Sequence, residues 1–473
     1  MKDKKTTYVH PDTFRDSLTT VNIDGSRKWV YAVQPKGIYY TARTYLSWVF
    51  YAIFFGMPFI KINGIPFLQF NILDLRFIIF GKIFTPDDFF IFALGMITFI
   101  VFIVLFTLVY GRIFCGWICP QTVFMEMLFR KLEYFIEGSA KDQKVLDRSP
   151  WNMNKILRRG GKHIVFFIVS FIIANTFLAY IIGADTIIKN IQEPVHEHIG
   201  MLAGLLVFTM VFYVVYAFVR EVVCTVICPY GRLQSVMTDK DTIVVAYDYA
   251  RGEPRGKFVK NKDKVAPDLG DCIDCNQCVE VCPTGIDIRH GTQMECTNCT
   301  ACIDACDFVM EKVGRPKGLI RYTSENNIEK GEKLNYTLKM KAYTVVLVLL
   351  VGIMAFMLIT RKNIDAHITR STGQLYAEME NDRLANFYQI KITNKTNNLM
   401  PMELKLENIS GDIKMLGEEQ IVNIQPMEHK SINFLILINK DKVLSRKTEL
   451  KISLYSNGEK VSTIKTAFLG PFK

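Results

Sequence analysis

Charge and cysteine are both scarce in this 473-residue chain. Only 22% of its residues are charged and 50% are hydrophobic, and the mean hydropathy is +0.17. A soluble domain of this size normally carries more charge and a negative mean hydropathy, so a soluble globular enzyme and a disordered protein are both excluded. Twelve cysteines are too few for a disulfide scaffold, but eight of them lie between Cys272 and Cys306, which is typical of metal chemistry.

Apolar residues are concentrated in five segments that are long enough to cross a bilayer as helices. A weaker apolar stretch, 65–84, is interrupted by Asp74, Arg76 and Gly81. We interpret it as a partly interfacial loop, with a short sixth membrane element as the alternative. The five predicted spans are residues 44–60, 88–110, 164–183, 199–219 and 342–360.

Lysine and arginine alternate between the connecting segments and predict the orientation. They are frequent in 1–43, 111–163 and 220–341, and rare in 61–87 and 184–198. The N-terminus and the cysteine-rich segment are therefore expected in the cytoplasm, and the region after the fifth span outside a bacterial inner membrane. This topology accounts for the net charge of +11 without nucleic-acid binding. Residues 1–40 lack a cleavable signal, so the first span is expected to be an uncleaved anchor.

The same motif, Cys-x3-Cys-Pro, follows the second and the fourth span. The four N-terminal spans therefore resemble a duplicated hairpin with both copies in the same orientation. Cysteines four residues apart are expected on one face of a helix that the proline ends or kinks. Two functions suit such thiols, a site for a soft cation such as Cu(I) and a dithiol relay. The alternative is that they are small hydrophobic residues in packed helices. The candidate residues are Cys115, Cys119, Cys224 and Cys228.

The strongest signal is the run Cys-x2-Cys-x2-Cys-x3-Cys, which occurs twice, as in bacterial proteins that hold two 4Fe–4S clusters. Three thiolates of each run are expected to hold one cluster, while the fourth reaches the other. Zn(Cys)4 sites are the alternative, but they rarely use so dense a run. The predicted ligands are Cys272, Cys275, Cys278 and Cys306 for the first cluster, and Cys296, Cys299, Cys302 and Cys282 for the second. The predicted apolar wall is Ile273, Val279, Ile286 and Ile303.

Two adjacent clusters provide one-electron steps and no substrate pocket, so electron transfer is the predicted function of this segment. The second run ends in Cys306-Asp307, where the first has Cys282-Pro283. The proline is not a ligand, so the cluster is expected to survive its absence. The added negative charge is expected to lower the cluster potential slightly.

The C-terminal region from residue 386 has the period-two pattern of β-strands. Asn457-Gly458 is a strong signal for a two-residue hairpin turn. The seven predicted strands suggest an immunoglobulin-like sandwich that binds or docks and does not catalyse, since no hydrolytic or transferase constellation is evident. They are residues 387–393, 402–407, 412–416, 420–424, 432–438, 450–455 and 461–468.

Histidines give only weak signals. His196 and His198 flank a glutamate in the loop after the third span and could bind a divalent metal, although loop histidines are usually just solvated. His163 and His290 are interpreted as structural.

The order of these parts resembles the FixG/CcoG (RdxA-like) accessory proteins of cbb(3)-type cytochrome oxidase. The resemblance covers nearly the whole chain and is most specific in Gly285-Ile-Asp-Ile-Arg289, Gln293-Met-Glu-Cys296, Cys302-Ile-Asp-Ala-Cys306-Asp307 and Gly318-Leu-Ile-Arg-Tyr322. It implies a role in oxidase maturation in which the clusters reduce Cu(II) to Cu(I). The thiols of the repeated motif would then be copper-site candidates. Implied partners are the oxidase or its copper-delivery factors, with a cytoplasmic or quinol electron donor; a homodimer is left open.

Two other functions compete with this one. A NapH-like quinol-oxidising respiratory subunit shares the hairpins and clusters, but the C-terminal sandwich is not expected there. A NosR-like membrane regulator or docking protein is expected to carry an outer flavin-type domain before the first span, and residues 1–40 are too short for one.

The predicted fold class is a multi-domain integral membrane protein. It combines an α-helical bundle of about five spans, an inserted bacterial ferredoxin-like domain for two 4Fe–4S clusters, and a C-terminal all-β immunoglobulin-like sandwich. The predicted domains are a cytoplasmic segment at 1–43, the duplicated membrane domain at 44–240, the ferredoxin-like domain at 241–340 with its core at 266–312, the fifth span at 341–360 and the outer domain at 361–473.

Overall fold

The computed structural model describes most of the chain, and the polypeptide divides into two compact units. One unit comprises residues 1–57, 92–179 and 185–354, and the other comprises 58–91, 180–184 and 355–473. The described residues are 20, 26–62, 64–72, 76–84, 89–194, 196, 199–257, 269–331, 337–360, 364–371, 375–379, 382–396, 398–417, 420–426, 428–443 and 445–471.

Long apolar helices confirm the predicted membrane bundle. Within the described residues, four helical stretches are long and apolar enough to cross a membrane: Phe89–Tyr110, Met153–Ile182, Ile199–Val219 and Leu338–Thr360. They coincide with the second to fifth predicted spans. The first predicted span corresponds to a 19-residue helix, Ile38–Gly56, which begins earlier than expected and includes Arg43.

Aromatic side chains pack the membrane helices together. Phe129 stacks on Tyr216 with ring centroids 4.4 Å apart, and its edge meets Phe166 at 4.9 Å. Phe124 contacts the rings of Phe50 and Phe54 on the helix Ile38–Gly56. Apolar burial does not drive association inside lipid, so this close ring packing supplies the contact between helices.

The prediction of a loop at 65–84 is wrong, because the segment forms antiparallel strands. Leu68–Asn71 pairs with Arg76–Ile79, which pairs with Lys82–Phe84. Phe80 and Gly81 join the last two strands with φ values of 54° and 71°, as a two-residue hairpin turn requires. Isoleucine and phenylalanine favour such strands over an irregular loop. The preceding short strands Lys61–Ile62 and Ile65–Pro66 also pair.

The segment with the two cysteine runs is built on one pair of strands. Val244–Tyr247 pairs antiparallel with Ile320–Thr323, and the intervening chain holds all eight clustered cysteines. Val245, Ile286, Ile303 and Leu319 are buried together over this pair. Shorter helices elsewhere in the chain are Ile113–Trp117, Pro120–Thr122, Val123–Phe129, Arg130–Glu137, Ala140–Arg148, Ala184–Gln192, Val215–Val219, Val223–Ile227, Pro229–Met237, Tyr249–Gly252, Gln277–Glu280, Ile288–His290, Ala301–Lys312 and Glu325–Lys330.

The C-terminal region is a sandwich of two antiparallel sheets, as predicted. All seven predicted strands are present, and Ile364–Arg370 and Ala377–Met379 add to them. Asn457 and Gly458 both have positive φ, as the predicted turn requires. One sheet contains Asp412–Met415, His429–Asn439, Arg383–Asn394 and Ile364–Arg370 in that order, with Ala377–Met379 beside Arg383–Asn394; the other contains Ile421–Ile424, Met400–Leu406, Lys447–Ser456 and Glu459–Leu469.

Replacing Phe434 tests the core of this sandwich. The side chain is fully buried between the sheets and stacks on Tyr388 at 5.5 Å. We expect Phe434→Ala to lower the free energy of unfolding of this domain by about 3–5 kcal/mol, because it leaves a cavity. Proteolysis of the full-length protein at increasing urea measures the loss. Phe387→Ala, an exposed phenylalanine on the adjacent strand, is the control, and equal effects of both substitutions would contradict the proposed core.

Candidate iron–sulfur and thiol site

The two cysteine runs fold as copies of one loop. In the first, Asp274 and Asn276 have φ values of 51° and 57°; in the second, Asn298 and Thr300 have φ values of 53° and 66°. Each pair occupies the same positions, directly before and directly after the second cysteine. Left-handed residues turn the backbone sharply, so successive thiols can face one point. The repeated sequence is therefore a repeated backbone conformation.

Four cysteines from both runs surround one small cavity. Cys272, Cys275 and Cys278 come from the first loop, and Cys306 reaches it from the helix Ala301–Lys312. The remaining lining is largely apolar: Tyr247, Ile273, Met310, Leu319 and Ile320. The structure thus brings together the first predicted ligand set, although much of its apolar surround lies on strands that the cysteine motif does not reveal.

A second cavity is lined by the other predicted set. Cys296, Cys299 and Cys302 come from the second loop, and Cys282 from the end of the first run. Ile286 and Val245 are part of its wall. Cys278 lines this cavity as well as the first, so the two cavities are neighbours. Such adjacency is what one-electron transfer between two clusters requires.

Burial disfavours ionisation of the thiols in both cavities. Within the described residues, no group of three His, Cys, Asp or Glu side chains is close enough to hold one metal ion. Burial raises the pKa of Cys278 and of Cys296 to about 12, so bound iron has to stabilise their thiolates.

Arg289 holds the first loop in its left-handed conformation. Its guanidinium donates to Asp274 Oδ1 at 2.5 Å and to Asn276 Oδ1 at 2.6 Å, and its Nε donates to Asp287 Oδ1 at 2.8 Å. In the second loop, Asn298 Oδ1 instead accepts from the Val245 N–H at 3.2 Å. Neither role follows from the cysteine spacing, because both depend on contacts with other elements.

Asp307 has a structural partner. Its Oδ1 accepts a hydrogen bond from the Gly318 N–H at 2.8 Å, just before the strand Ile320–Thr323. Asp307, which stands where the first run has a proline, therefore positions the chain as it enters the strand Ile320–Thr323. Its predicted effect on the cluster potential stays a prediction.

Asp304, between two predicted ligands, connects the second loop to the helix Ile38–Gly56. Its carboxylate accepts from the backbone N–H groups of Tyr39 at 3.1 Å and Tyr40 at 2.7 Å, which occupy the first turn of that helix. Gly37 makes room for the carboxylate, because a Cβ there would overlap it. Arg43 donates to the Cys299 carbonyl at 3.0 Å. Together these contacts place the second cavity at the end of this helix.

The cysteines of the repeated motif do not share one helix face, contrary to the prediction. Cys115 lies on Ile113–Trp117, whereas Cys119 precedes the next helix, which begins at Pro120. Cys224 and Cys228 have the same arrangement around Pro229. A residue before proline is driven to extended backbone, and proline is well suited to the first position of a helix. The proline therefore starts a helix here and does not end one.

The duplication extends to the backbone before each motif. Gly111 and Arg220, each four residues before its first cysteine, have φ values of 55° and 54°. Glycine adopts this conformation without strain, but arginine requires compensation. Arg220 is buried and donates to both oxygens of Glu133 at 2.9 Å. Burial favours the neutral acid, but Arg220 and Lys162 lower the pKa of Glu133 to about 2.

The two loops that carry the Cys-x3-Cys-Pro motifs, around Cys115 and Cys119 and around Cys224 and Cys228, are called the thiol loops below. They lie close to each other and to the second cysteine run. Thr122 Oγ1 lies 4.0 Å from Cys224 Sγ, and the Cys115 thiol is 3.1 Å from Gln234 Oε1 beyond the second loop. Burial, followed by the nearby Cys119 and Cys115 thiols, raises the pKa of Cys224 to about 12. Gly116 lies so close to Thr297 that a Cβ would be 2.5 Å from the Thr297 carbonyl oxygen.

The histidines do not form a described metal site. His196 is described, but His198 and the intervening glutamate lie outside the described residues, so the pairing stays a prediction. His163 Nδ1 hydrogen bonds to the Tyr213 hydroxyl at 2.9 Å. His290 lies 3.9 Å from Asp287, beside Arg289.

Comparison with known proteins matches this arrangement. Residues 219–325 match a family described as a 4Fe-4S dicluster domain, and 92–136 match a 4Fe-4S binding domain. Residues 354–471 match the "IG-like fold at C-terminal of FixG, putative oxidoreductase". Protein RdxA of Cereibacter sphaeroides is 31% identical over 396 residues, covering 81% of this chain and 83% of RdxA. The chain belongs to the FixG/RdxA family.

Two further relatives agree with this membership. Protein RdxB of the same organism is 32% identical over 404 residues, which cover 81% of this chain and 82% of RdxB. Nitrogen fixation protein FixG of Rhizobium meliloti is 36% identical over 260 residues, 54% of this chain and only 48% of FixG. This FixG/RdxA-family chain is thus a membrane iron–sulfur redox protein with a 4Fe–4S dicluster domain and an immunoglobulin-like C-terminal domain.

Arg289→Gln tests how the first loop is held. We expect iron to fall from about eight to about four atoms per chain, because the loop loses its charged hydrogen bonds while the second loop is untouched. Iron analysis after anaerobic purification measures this. Lys317→Gln, which removes an exposed ion pair nearby, is the control. Full iron in Arg289→Gln would contradict the role of Arg289, and wild-type protein with two zinc ions and no iron would refute the clusters.

Proposed function

We propose that this protein transfers electrons to copper, reducing Cu(II) to Cu(I) during assembly of a cbb(3)-type cytochrome oxidase. The observation that carries the proposal is the convergence of two thiol loops beside the second cysteine run. The close contact of Gly116 with Thr297 supports it, because Gly116 follows Cys115, Thr297 belongs to the second cysteine run, and thiolates are soft ligands that suit Cu(I). The immunoglobulin-like domain favours this function over that of a NapH-like subunit, in which no such domain is expected.

Each predicted ligand has one role in this proposal. Cys272, Cys275, Cys278 and Cys306 hold the first cluster, and Cys282, Cys296, Cys299 and Cys302 hold the second. When bound, the clusters supply the one-electron steps. Cys115, Cys119, Cys224 and Cys228 take copper as a substrate, which gains one electron and leaves as Cu(I).

The protein surroundings of the second cavity favour transfer toward the thiol loops. Trp117, two residues after Cys115, donates to the Tyr322 hydroxyl at 3.0 Å, and that hydroxyl donates to the Asn298 carbonyl at 3.2 Å. Asn298 belongs to the loop of the second cysteine run. These hydrogen bonds fix the distance between the two sites, and a fixed short distance keeps the transfer efficient.

Serine substitutions in the thiol loops separate copper chemistry from cluster binding. We expect Cys115→Ser and Cys224→Ser to retain about eight irons. Reduction of Cu(II) by dithionite-reduced, desalted protein should fall at least about tenfold, because a hydroxyl does not replace a soft thiolate ligand. A Cu(I)-specific chromogenic chelator measures the product under anaerobic conditions.

Thr225→Ser, which changes the neighbour of Cys224 without removing a thiol, is the control. In cells, deletion of the gene should lower oxidase activity at low copper, and added copper should restore it in part. Normal oxidase activity in Cys115→Ser or Cys224→Ser cells at low copper would refute the copper role.

The proposed orientation places the cysteine runs in the cytoplasm and the immunoglobulin-like domain in the periplasm, where it would dock the oxidase or a copper-delivery factor. Alkaline phosphatase, which is active only outside the cytoplasm, tests this. We expect activity when it is fused after Pro471 and none when it is fused after Lys330, because the helix Leu338–Thr360 lies between the two positions. The reverse pattern would contradict the orientation.

A further inference from the structure

A cavity of about 590 Å³ lies between the second cysteine run and the second thiol loop. Its volume falls in the range of small-molecule sites, unlike the two small cavities that the clustered cysteines surround. Cys296, a predicted cluster ligand, and Cys224, a thiol of the repeated motif, both line it. A molecule in this cavity would therefore lie beside the redox centre.

Two residues that line the cavity each carry a buried donor for which the described residues provide no hydrogen-bond partner. Arg112, 5% exposed, donates from its terminal nitrogens to the carbonyls of Met294 and Cys224, and its Nε–H has no partner within the described part of the chain. Asn298, 2% exposed, uses its oxygen to accept from the Val245 N–H, and its Nδ2 likewise has no partner among the described residues. Buried polar groups are nearly always satisfied, so these donors call for a ligand with oxygen acceptors.

The chain makes specific room for this arrangement. Gly231 lies against the Arg112 guanidinium, and a Cβ at this position would be 2.7 Å from Arg112 Nη2 and 3.0 Å from the Cys224 carbonyl oxygen. Any larger residue would displace the arginine from the cavity wall. Because glycine has no side chain, position 231 leaves room for Arg112 between the second thiol loop and the second cysteine run.

An exposed aliphatic side chain lies at the edge of the cavity. Val236, on the helix Pro229–Met237, lines the cavity and is 78% exposed. Leu233, on the same helix, is 53% exposed and lies outside the cavity lining. This helix follows closely on the apolar stretch Ile199–Val219, and Arg112 follows directly on Phe89–Tyr110. Exposed aliphatic residues at the end of membrane helices suit lipid contact. A ligand with a polar head and an apolar tail fits both the rim and the interior.

We propose that this cavity binds the head group of a membrane quinol, which is the electron donor to the iron–sulfur domain. The ring oxygens accept from Arg112 Nε–H and Asn298 Nδ2–H, and the tail leaves past Val236. Oxidation to the quinone releases two electrons and two protons; the protons pass to water at the open side. The two clusters, when bound, accept one electron each, which balances the oxidation.

This inference rests on the proposed function and names its reductant. A quinol gives up electrons in pairs, whereas Cu(II) accepts one. Two adjacent one-electron centres convert one quinol oxidation into two copper reductions. That stoichiometry gives a physical reason for two clusters in the domain where one would suffice for a one-electron donor.

Binding of decylubiquinone to the purified full-length protein in detergent tests the site without requiring turnover. We expect saturable binding that weakens at least about tenfold in Arg112→Gln, since loss of a charged donor costs more than about 1.4 kcal/mol. Val236→Trp should weaken binding similarly by filling the entrance. Leu233→Trp, on the same helix but outside the cavity lining, is the matched control and should bind like wild type.

Reduction of the clusters by decylubiquinol, followed by anaerobic EPR, is the second readout. We expect a reduced-cluster signal in wild type and Leu233→Trp, and a signal that is slower to appear in Val236→Trp at unchanged iron content. Absence of saturable binding, equal binding in Val236→Trp and Leu233→Trp, or a phospholipid that co-purifies in the cavity and is not displaced by quinone would each overturn the proposal.

Failure of the inference can be distinguished from failure of the proposed function. If dithionite-reduced protein reduces Cu(II) but quinone does not bind, the cavity assignment is wrong and the copper role stands. If quinol binds and reduces the clusters but Cu(II) is not reduced, the reverse holds.

Discussion

Close backbone contact between the second cysteine run and the helix ends of the membrane bundle fixes the geometry of the whole redox region. Three contacts produce it. Asp304 caps the first turn of Ile38–Gly56, Arg43 binds the Cys299 carbonyl, and Gly116 lies against Thr297. Each depends on a short distance that a larger or uncharged residue would not allow. The second cavity therefore cannot move away from the helix Ile38–Gly56 without breaking the charged hydrogen bonds of Asp304 and Arg43, and Gly116 keeps it in contact with the first thiol loop.

The duplicated thiol loops adopt the same backbone conformation with different residues. At the equivalent positive-φ position, the first copy uses Gly111 and the second uses Arg220. The strain of the arginine is compensated by its bidentate contact with Glu133, in a buried group of charges that also includes Lys162 and Glu137. Burying these charges is costly unless each is paired. The network therefore fixes the helix ends as well as satisfying Arg220.

Arg112 occupies the centre of the proposed electron route. It follows the membrane helix Phe89–Tyr110, binds the carbonyls of Met294 and Cys224, and lines the large cavity, and its Nε–H has no hydrogen-bond partner among the described residues. One side chain thus joins a membrane helix, a cluster loop and a thiol loop. A donor molecule, the second cluster and the copper thiols would all lie around this residue, so electrons would travel only short distances.

Much of this architecture could be predicted from short stretches of the sequence. The apolar runs, the cysteine spacing and the alternating C-terminal strands are determined by short-range periodicity, and the helices, the paired loops and the sandwich follow that periodicity. The strands of the 65–84 segment were not predicted, although its isoleucine and phenylalanine residues favour strands, because Asp74, Arg76 and Gly81 interrupt the apolar pattern. Its pairing depends on the hairpin turn at Phe80 and Gly81.

By itself, the sequence determined the membrane helices, the two cysteine runs with their predicted ligands and the thiol motif, since each is encoded by neighbouring residues. Only the tertiary structure decided that the first cysteine of each thiol pair lies on one helix while the second directly precedes the next, and that Arg289 and Asp304 hold the cysteine loops. It alone placed Arg112 and Asn298 together in one cavity. These residues are far apart in the chain, and their pairing depends on how separate elements pack, which local spacing does not specify.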